Sequence, residues 1–273
     1  MDLLVCGTAA AEGWPAVFCG CRGCLEARRL GGKNLRGRSG YVLGDHIKVD
    51  YGPDAGHQMI REGLAFEKLE HLLVTHSHGD HWTPHELFYR HKGFSIVPDR
   101  PPLRIHGNAK VRATAEKDLG MDWAPYKMEF SQLKPWQPTE LCDGVSVVPI
   151  LAAHDPAEEC LNFLLLQGDR CLLIGHDTGW WADETWEFLK DYKITAVLMD
   201  CTNGEIENEK GHLSCSAVVR VRGRLEAMNC LTPDCRFTAT HFSHNGHWLH
   251  HELEDYFRPY GIQVAYDGLR FAL

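Results

Sequence analysis

Thr75-His76-Ser77-His78-Gly79-Asp80-His81 is the stretch on which the reading of this chain turns. Its pattern is His-x-His-x-Asp-His, with four metal-ligand side chains inside six residues. The apolar run Leu72-Leu73-Val74 just before it reads as a buried strand. The ligands then fall on the loop at the strand's C-terminal end. Four side chains this close would crowd one ion. They can divide instead, two histidines to one ion and an aspartate plus a histidine to a second. Gly79 permits the tight backbone such a loop needs. The competing reading, a polar turn that happens to be His-rich, leaves the density of donors unexplained.

A dinuclear site needs further ligands, and they occur after other apolar runs. His154 follows Val147-Val148-Pro149-Ile150-Leu151, Asp177 follows Cys171-Leu172-Leu173-Ile174-Gly175, and His241 follows Phe237-Thr238-Ala239-Thr240. Taken alone, each is an ordinary turn or capping residue. A second cluster, Cys19-Gly20-Cys21-Arg22-Gly23-Cys24, has the Cys-x-Cys-x-x-Cys spacing of structural zinc sites. A disulfide framework fits it poorly, because three cysteines cannot all pair.

In this order the motifs resemble the metallo-β-lactamase superfamily of hydrolases. The resemblance implies that His76, His78 and His154 hold one metal, that Asp80, His81 and His241 hold the other, and that Asp177 bridges them. It also supplies His244 as the fourth ligand of the cysteine cluster. A Cys₃His set leaves no open position, so its role is in folding. The stretch Gly7-Thr8-Ala9-Ala10-Ala11-Glu12-Gly13-Trp14-Pro15, the cysteine cluster and the ending Tyr266-Asp267-Gly268 resemble two branches of the superfamily. One is the cyclic-phosphate phosphodiesterase of the carbon–phosphorus lyase pathway. The other is the pyrroloquinoline quinone biosynthesis protein, a branch expected to have lost most of the His-x-His-x-Asp-His motif. This chain keeps the motif whole, which favours the first. The implied architecture is α/β, a four-layer αββα sandwich of two mixed sheets with outer helices, spanning 1–273 as one domain with the zinc cluster at 19–24.

Composition agrees. The 273 residues are 44% hydrophobic, enough for a sizeable core, and carry a formal net charge of −9 without a Lys/Arg-rich tract. A nucleic-acid polymer normally demands a basic footprint, so no large nucleic acid is expected as partner. No apolar run approaches the ~20 residues of a membrane span. The start at Met1-Asp2 lacks the basic region of a signal peptide. Eleven cysteines, eight of them outside the cluster, read as reduced thiols in a cytoplasmic protein. Strands are expected near 3–7, 41–43, 47–50, 72–75, 103–106, 145–151, 162–167, 171–175, 196–199, 236–240 and 269–272. Helices are expected near 55–62, 85–89, 110–118, 182–190, 214–228 and 249–257. The segment 120–139 has no clear period. Arg220, Arg222 and Arg224 read as a solvated helix face, and Trp82, Trp180 and Trp181 as packing residues beside the metal motifs.

The expected chemistry follows. Two divalent ions, zinc or manganese, about 3.5–4 Å apart can hold a bridging hydroxide and clamp a phosphodiester during in-line attack. Asp80 is counted with the catalytic machinery. His212, in Lys210-Gly211-His212-Leu213-Ser214, matches the family position near the substrate and is expected to act as general acid or phosphate contact. Asp50, after Ile47-Lys48-Val49, is a candidate to orient a metal-binding histidine through its second ring nitrogen. His176, His85, His247, His250 and His251 are expected to lie outside the ligand set. The function expected is hydrolysis of a small phosphodiester, cyclic or nucleotide-like, with a homodimer left open. The alternatives are a tRNA-processing endonuclease, a thioester or lactone hydrolase, a quinone-cofactor biosynthesis protein of the same fold, and a metal-stabilised binding module.

Overall fold

The computed structural model describes residues 2–272. Alternating apolar residues build two seven-stranded sheets. The first contains β1 (Asp2–Gly7), β2 (Gly40–Leu43), β3 (Ile47–Val49), β4 (His71–Leu73), β5 (Leu103–Gly107) and β6 (Met128–Gln132). The second contains β7 (Thr139–Glu140), β8 (Ser146–Leu151), β9 (Leu161–Gln167), β10 (Arg170–Gly175), β11 (Ile194–Asp200), β12 (Leu231–Thr240) and β13 (Gln263–Val264). The chain then returns as β14 (Leu269–Ala272) to the edge of the first sheet, giving the orders β14-β1-β2-β3-β4-β5-β6 and β13-β12-β11-β10-β9-β8-β7. Both sheets are mixed. β3, β4, β5 and β6 run parallel in the first, and β10, β11, β12 and β13 in the second. β8 runs with β10, since both are antiparallel to β9.

The period-two alternation assigns the two faces of each strand. In β10, Leu172 and Ile174 join Leu73, Val147, Phe163 and Leu198 in the core between the sheets. Cys171 and Leu173 of the same strand point the other way, into a core covered by helices. Those helices are α1 (Arg22–Leu30), α4 (Asp183–Leu189), α5 (Cys215–Ala227) and α6 (His250–Phe257), while α2 (Ala55–Glu62) and α3 (Ala109–Leu119) serve the first sheet. Helix, sheet, sheet, helix is the expected four-layer arrangement.

Some local expectations differ. The segment expected as a helix at 85–89 is a 3₁₀ stretch, Pro84–Arg90, begun by a proline. Residues 120–139 contain β6, whose alternation is weak because it is the sheet edge. Helix α1 was hidden by the cysteine motif: Cys21 caps it, its sulfur accepting from Cys24 N. The arginines of α5 are not simply solvated. Arg224 stacks over Trp186 at 4.4 Å, and Arg222 donates to the carbonyl of Gly261 at 2.7 Å.

Candidate functional site

Every motif residue sits just beyond the C-terminal end of a strand. Asp50 follows β3, the His76–His81 loop follows β4, His154 follows β8, Asp177 follows β10, Asp200 ends β11, and His241 follows β12. Parallel neighbours bring those ends to one edge of the sandwich. The backbone turns sharply there. Asp50, Asp177 and His241 have φ of 57°, 55° and 60°, the left-handed region that costs a non-glycine residue free energy.

Two ligand groups form around Asp177. One is His76, His78, His154 and Asp177, the other Asp80, His81, Asp177 and His241, and within each group the donor atoms lie within 4.8 Å of one another. All seven expected ligands are therefore brought together. His76 Nε2 and His81 Nε2 lie 3.1 and 2.8 Å from the Asp177 carboxylate. Asp80 lies 2.9 Å from His81 Nε2. Yet His76 Nε2, His81 Nε2, His241 Nε2 and Asp177 Oδ1 are buried without an aligned hydrogen bond. His81 Nδ1 faces Asp50 at 2.7 Å and donates there; burial lowers the ring's pKa, but Asp80, Asp50 and Asp177 outweigh it and raise it well above the usual value, so Nε2 meets the lone pairs of Asp177 with a proton unless a metal ion takes that place. Buried acceptors facing each other are unfavourable unless a cation or proton lies between them. The donor set thus fits divalent metal ions. Burial and the neighbouring His81 lower His76 to about 4. Burial opposes charge on Asp177, but His241, His76 and His81 outweigh it and hold the carboxyl well below its usual range.

A layer of partners fixes these groups. Asp50, fully buried, accepts from Thr75 N (2.9 Å), His81 Nδ1 and His176 Nε2 (2.8 Å). His176 therefore lies behind the ligands. Asp200, which the sequence reading passed over, accepts from Leu213 N at 2.8 Å and Thr202 Oγ1 at 2.8 Å. His212 Nδ1 lies 3.2 Å from Asp200 and 3.1 Å from Asp177. Burial pulls His212 down, but Asp200, Asp177 and Asp80 push it up to about 9. Glu158 was also missed; it accepts from Ser77 N at 2.8 Å and Ser77 Oγ at 2.6 Å, bracing the metal loop. The signal for Asp200 was present: like Asp50, it is a carboxylate directly after a buried apolar run. A hollow of about 240 Å³ opens over the cluster, lined by Glu12, His78, Asp80, His154, Asp177 and His212 together with Asn203 and Asn245. Among the described residues, no lysine or arginine lines it.

The cysteine motif forms a separate group with His244. Cys19 Sγ and Cys21 Sγ lie 3.7 and 3.6 Å from His244 Nδ1, and all four donors lie within 4.8 Å. Zn–S and Zn–N bonds of ordinary length at tetrahedral angles give an edge of about 3.6 Å. His244 Nε2 lies 3.4 Å from Glu12, the carboxylate of the hollow. Burial raises Cys21, but hydrogen bonds from Cys24, Cys19 and His244 outweigh it and lower the thiol to about 6. Trp82 and Trp181 are core residues, their indole N–H groups bonded to Val111 O and Asn162 Oδ1. His250 is buried between Arg36 and Glu254, far from the ligand set in role.

A family model described as a beta-lactamase superfamily domain matches residues 45–242. Ribonuclease BN of Citrobacter koseri is 28% identical over 125 residues, 44% of this chain and 39% of that protein; the chain thus matches well under half of the relative's length. Among solved structures, a diphosphatase from the PhnP family superposes with a TM-score of 0.77 at 20% identity, covering 100% of this chain and 97% of that one. Zn²⁺-bound PqqB from Methylobacterium extorquens superposes with a TM-score of 0.76 at 16% identity, each chain covered completely. At such identities the likeness establishes the fold.

Proposed function

The chain belongs to the metallo-β-lactamase superfamily of hydrolases, and from that premise we propose that it hydrolyses a small phosphodiester at the edge where the two sheets meet. The observation that carries the reading is the convergence of buried polar atoms without a hydrogen-bond partner, His76 Nε2, His81 Nε2, His241 Nε2 and Asp177 Oδ1, beneath a hollow that also holds His212. Two divalent ions bound by the two ligand groups would polarise a phosphoryl oxygen and lower the pKa of a water. The remaining steps belong to side chains. His212, pinned through Nδ1 by Asp200 and Asp177, has its other nitrogen free to give a proton to the leaving oxygen. Asp50 keeps His81 in the tautomer whose Nε2 faces the ligand group. Cys19, Cys21, Cys24 and His244 would hold a structural zinc.

The wall chemistry supports a small, singly charged diester. Asn203, Asn245 and Glu12 can meet hydroxyls or amide edges, whereas a substrate with several free phosphates would find His212 but, among the described residues, no lysine or arginine there. The same argument weighs against a nucleic-acid polymer. Eleven free thiols fit the reducing cytoplasm in which this reading places the protein. Among the described residues, no helix is long and apolar enough to cross a membrane.

The likeness to a ribonuclease supports one second reading, cleavage of a precursor tRNA. Zinc- and manganese-loaded protein should be assayed on bis(p-nitrophenyl) phosphate, a cyclic ribose phosphate, a diphosphate ester, a precursor tRNA, a thioester and a lactone. Turnover of the small diesters well above the rest is expected. Turnover of only the thioester or lactone overturns the reading, and preference for tRNA replaces it with the second.

A further inference from the structure

The strands that end at the catalytic edge begin at the opposite pole, and another group of donors gathers there. His46 directly precedes β3, Glu70 directly precedes β4, and Cys142 lies in the turn before β8. A nitrogen, a carboxylate oxygen and the sulfur from these residues lie within 4.8 Å of one another. His46 Nδ1 is 3.2 Å from Glu70 Oε1, and Asp143 Oδ2 is 3.6 Å from the same nitrogen. Six residues of β8 at about 3.3 Å each separate this group from the hollow by roughly 20 Å.

We propose that His46, Glu70, Cys142 and Asp143 bind a borderline divalent transition metal, zinc foremost, that clips the two sheets together at the non-catalytic pole. One nitrogen, one sulfur and two oxygens suit zinc, whereas calcium and magnesium want oxygens alone. The donors are pre-organised by backbone. Glu70 N and His71 N both donate to His46 O, at 2.9 and 3.0 Å, which fixes His46 against Glu70. Cys142 and Asp143 sit in a tight hairpin turn closed by Val145 N to Cys142 O at 2.9 Å. Asp143 and Gly144 take φ of 55° and 70° there, and Gln167 Nε2 donates to Asp143 O at 2.8 Å. Cys142 packs against the core between the sheets, while His46 and Glu70 remain about 30% exposed, leaving a path for entry. His46 and Glu70 belong to the first sheet and Cys142 and Asp143 to the second, so a shared ion would oppose their separation. Burial, Asp143 and Glu70 hold the Cys142 thiol up at about 11. A bound cation relieves that repulsion, and the thiol proton leaves to solvent on binding.

The test is a metal count. Wild-type protein, Cys142→Ser, His46→Gln and Glu70→Gln are dialysed against the same buffered zinc and analysed per chain. Each variant should hold about one zinc less than wild type. Its melting temperature in zinc should fall below that of wild type, while chelation of only the weakly held zinc should bring wild type down to the variant. Cobalt-loaded wild type minus cobalt-loaded Cys142→Ser should leave a thiolate-to-cobalt absorption band. Phosphodiester turnover should be unchanged, because no residue of this group reaches the hollow. Equal zinc in all four proteins overturns the proposal. So does a loss confined to Cys142→Ser, which marks a lone thiolate. Wild-type protein with no zinc beyond the catalytic and Cys19/Cys21/Cys24/His244 groups overturns it without any variant.

Discussion

Asp50→Asn changes one oxygen to nitrogen in a buried carboxylate that touches none of the proposed substrate groups, and it should weaken metal binding. Asp50 Oδ2 faces both His81 Nδ1 at 2.7 Å and His176 Nε2 at 2.8 Å, while Oδ1 accepts from Thr75 N at 2.9 Å. An asparagine that keeps its oxygen at Thr75 turns its NH₂ toward the two histidines. His81 must then accept at Nδ1, and its proton moves to Nε2, the nitrogen that faces Asp177. A protonated nitrogen cannot ligate. The flipped asparagine avoids this only by setting its NH₂ against the N–H of Thr75, a buried donor facing a donor. Either arrangement loses hydrogen bonds to a charged group, worth about 1.5–3 kcal/mol each.

Loss of such an orienting partner costs about 10–100-fold in metal affinity, or roughly 1.4–2.7 kcal/mol. Zinc release to a chromophoric chelator should therefore show one weakened ion in Asp50→Asn, with the cysteine-bound zinc unmoved. The metal-free variant should melt several degrees lower. Asp50→Asn with wild-type zinc affinity and wild-type melting would show that the carboxylate does not set the His81 tautomer, and the reasoning would fail.

His212→Ala should keep its metals and lose about 10²–10⁴-fold in kcat on alkoxide leaving groups, with a much smaller loss on p-nitrophenolate. Equal losses on both would make His212 a phosphate contact, and full activity would remove it from the mechanism. Cys21→Ser should lower folding yield and release the tight zinc, since zinc-binding free energy is folding free energy here; a variant that melts like wild type with its zinc retained refutes this. His250 accepts from Arg36 at 2.8 Å through Nδ1 and faces Glu254 at 2.9 Å through Nε2. Burial and Arg36 hold it down at about 4, below an ordinary unfolded value of about 6.5. The unfolded chain then binds the extra proton, so this contribution is complete above about pH 6.5 and is lost as pH falls toward 4, by about 3 kcal/mol. Melting followed against pH should flatten in that window for His250→Gln, and an unchanged slope would refute the assignment.

How much of this was legible in the sequence depends on distance along the chain. His76, His78, Asp80 and His81 are readable because four donors share one loop, and the strand before them is a plain apolar run. His154, Asp177 and His241 are weak signals alone, since the pairing of strands that unites them is invisible without the fold. Asp200 was missed because the apolar reading stopped at Met199, whereas β11 runs to Asp200 itself. The left-handed turns at Asp50, Asp177 and His241 could not be read, because none is a glycine. Once built, the site has a logic that neither sheet shows separately. Asp50 closes β3 in the first sheet and holds Nδ1 of His81; Asp200 closes β11 in the second and stands 3.2 Å from Nδ1 of His212 and 3.4 Å from Nδ1 of His241. Each sheet thus places one buried carboxylate behind the ligands, where it sets which ring nitrogen carries a proton. For His81 and His241 the nitrogen that faces the ligand group is consequently the one free to take a metal ion, whereas His212 keeps its outward nitrogen protonated. The ligand spacing encodes where metals can go; the two strand-end carboxylates, contributed by separate sheets, make those ligands ready to receive them.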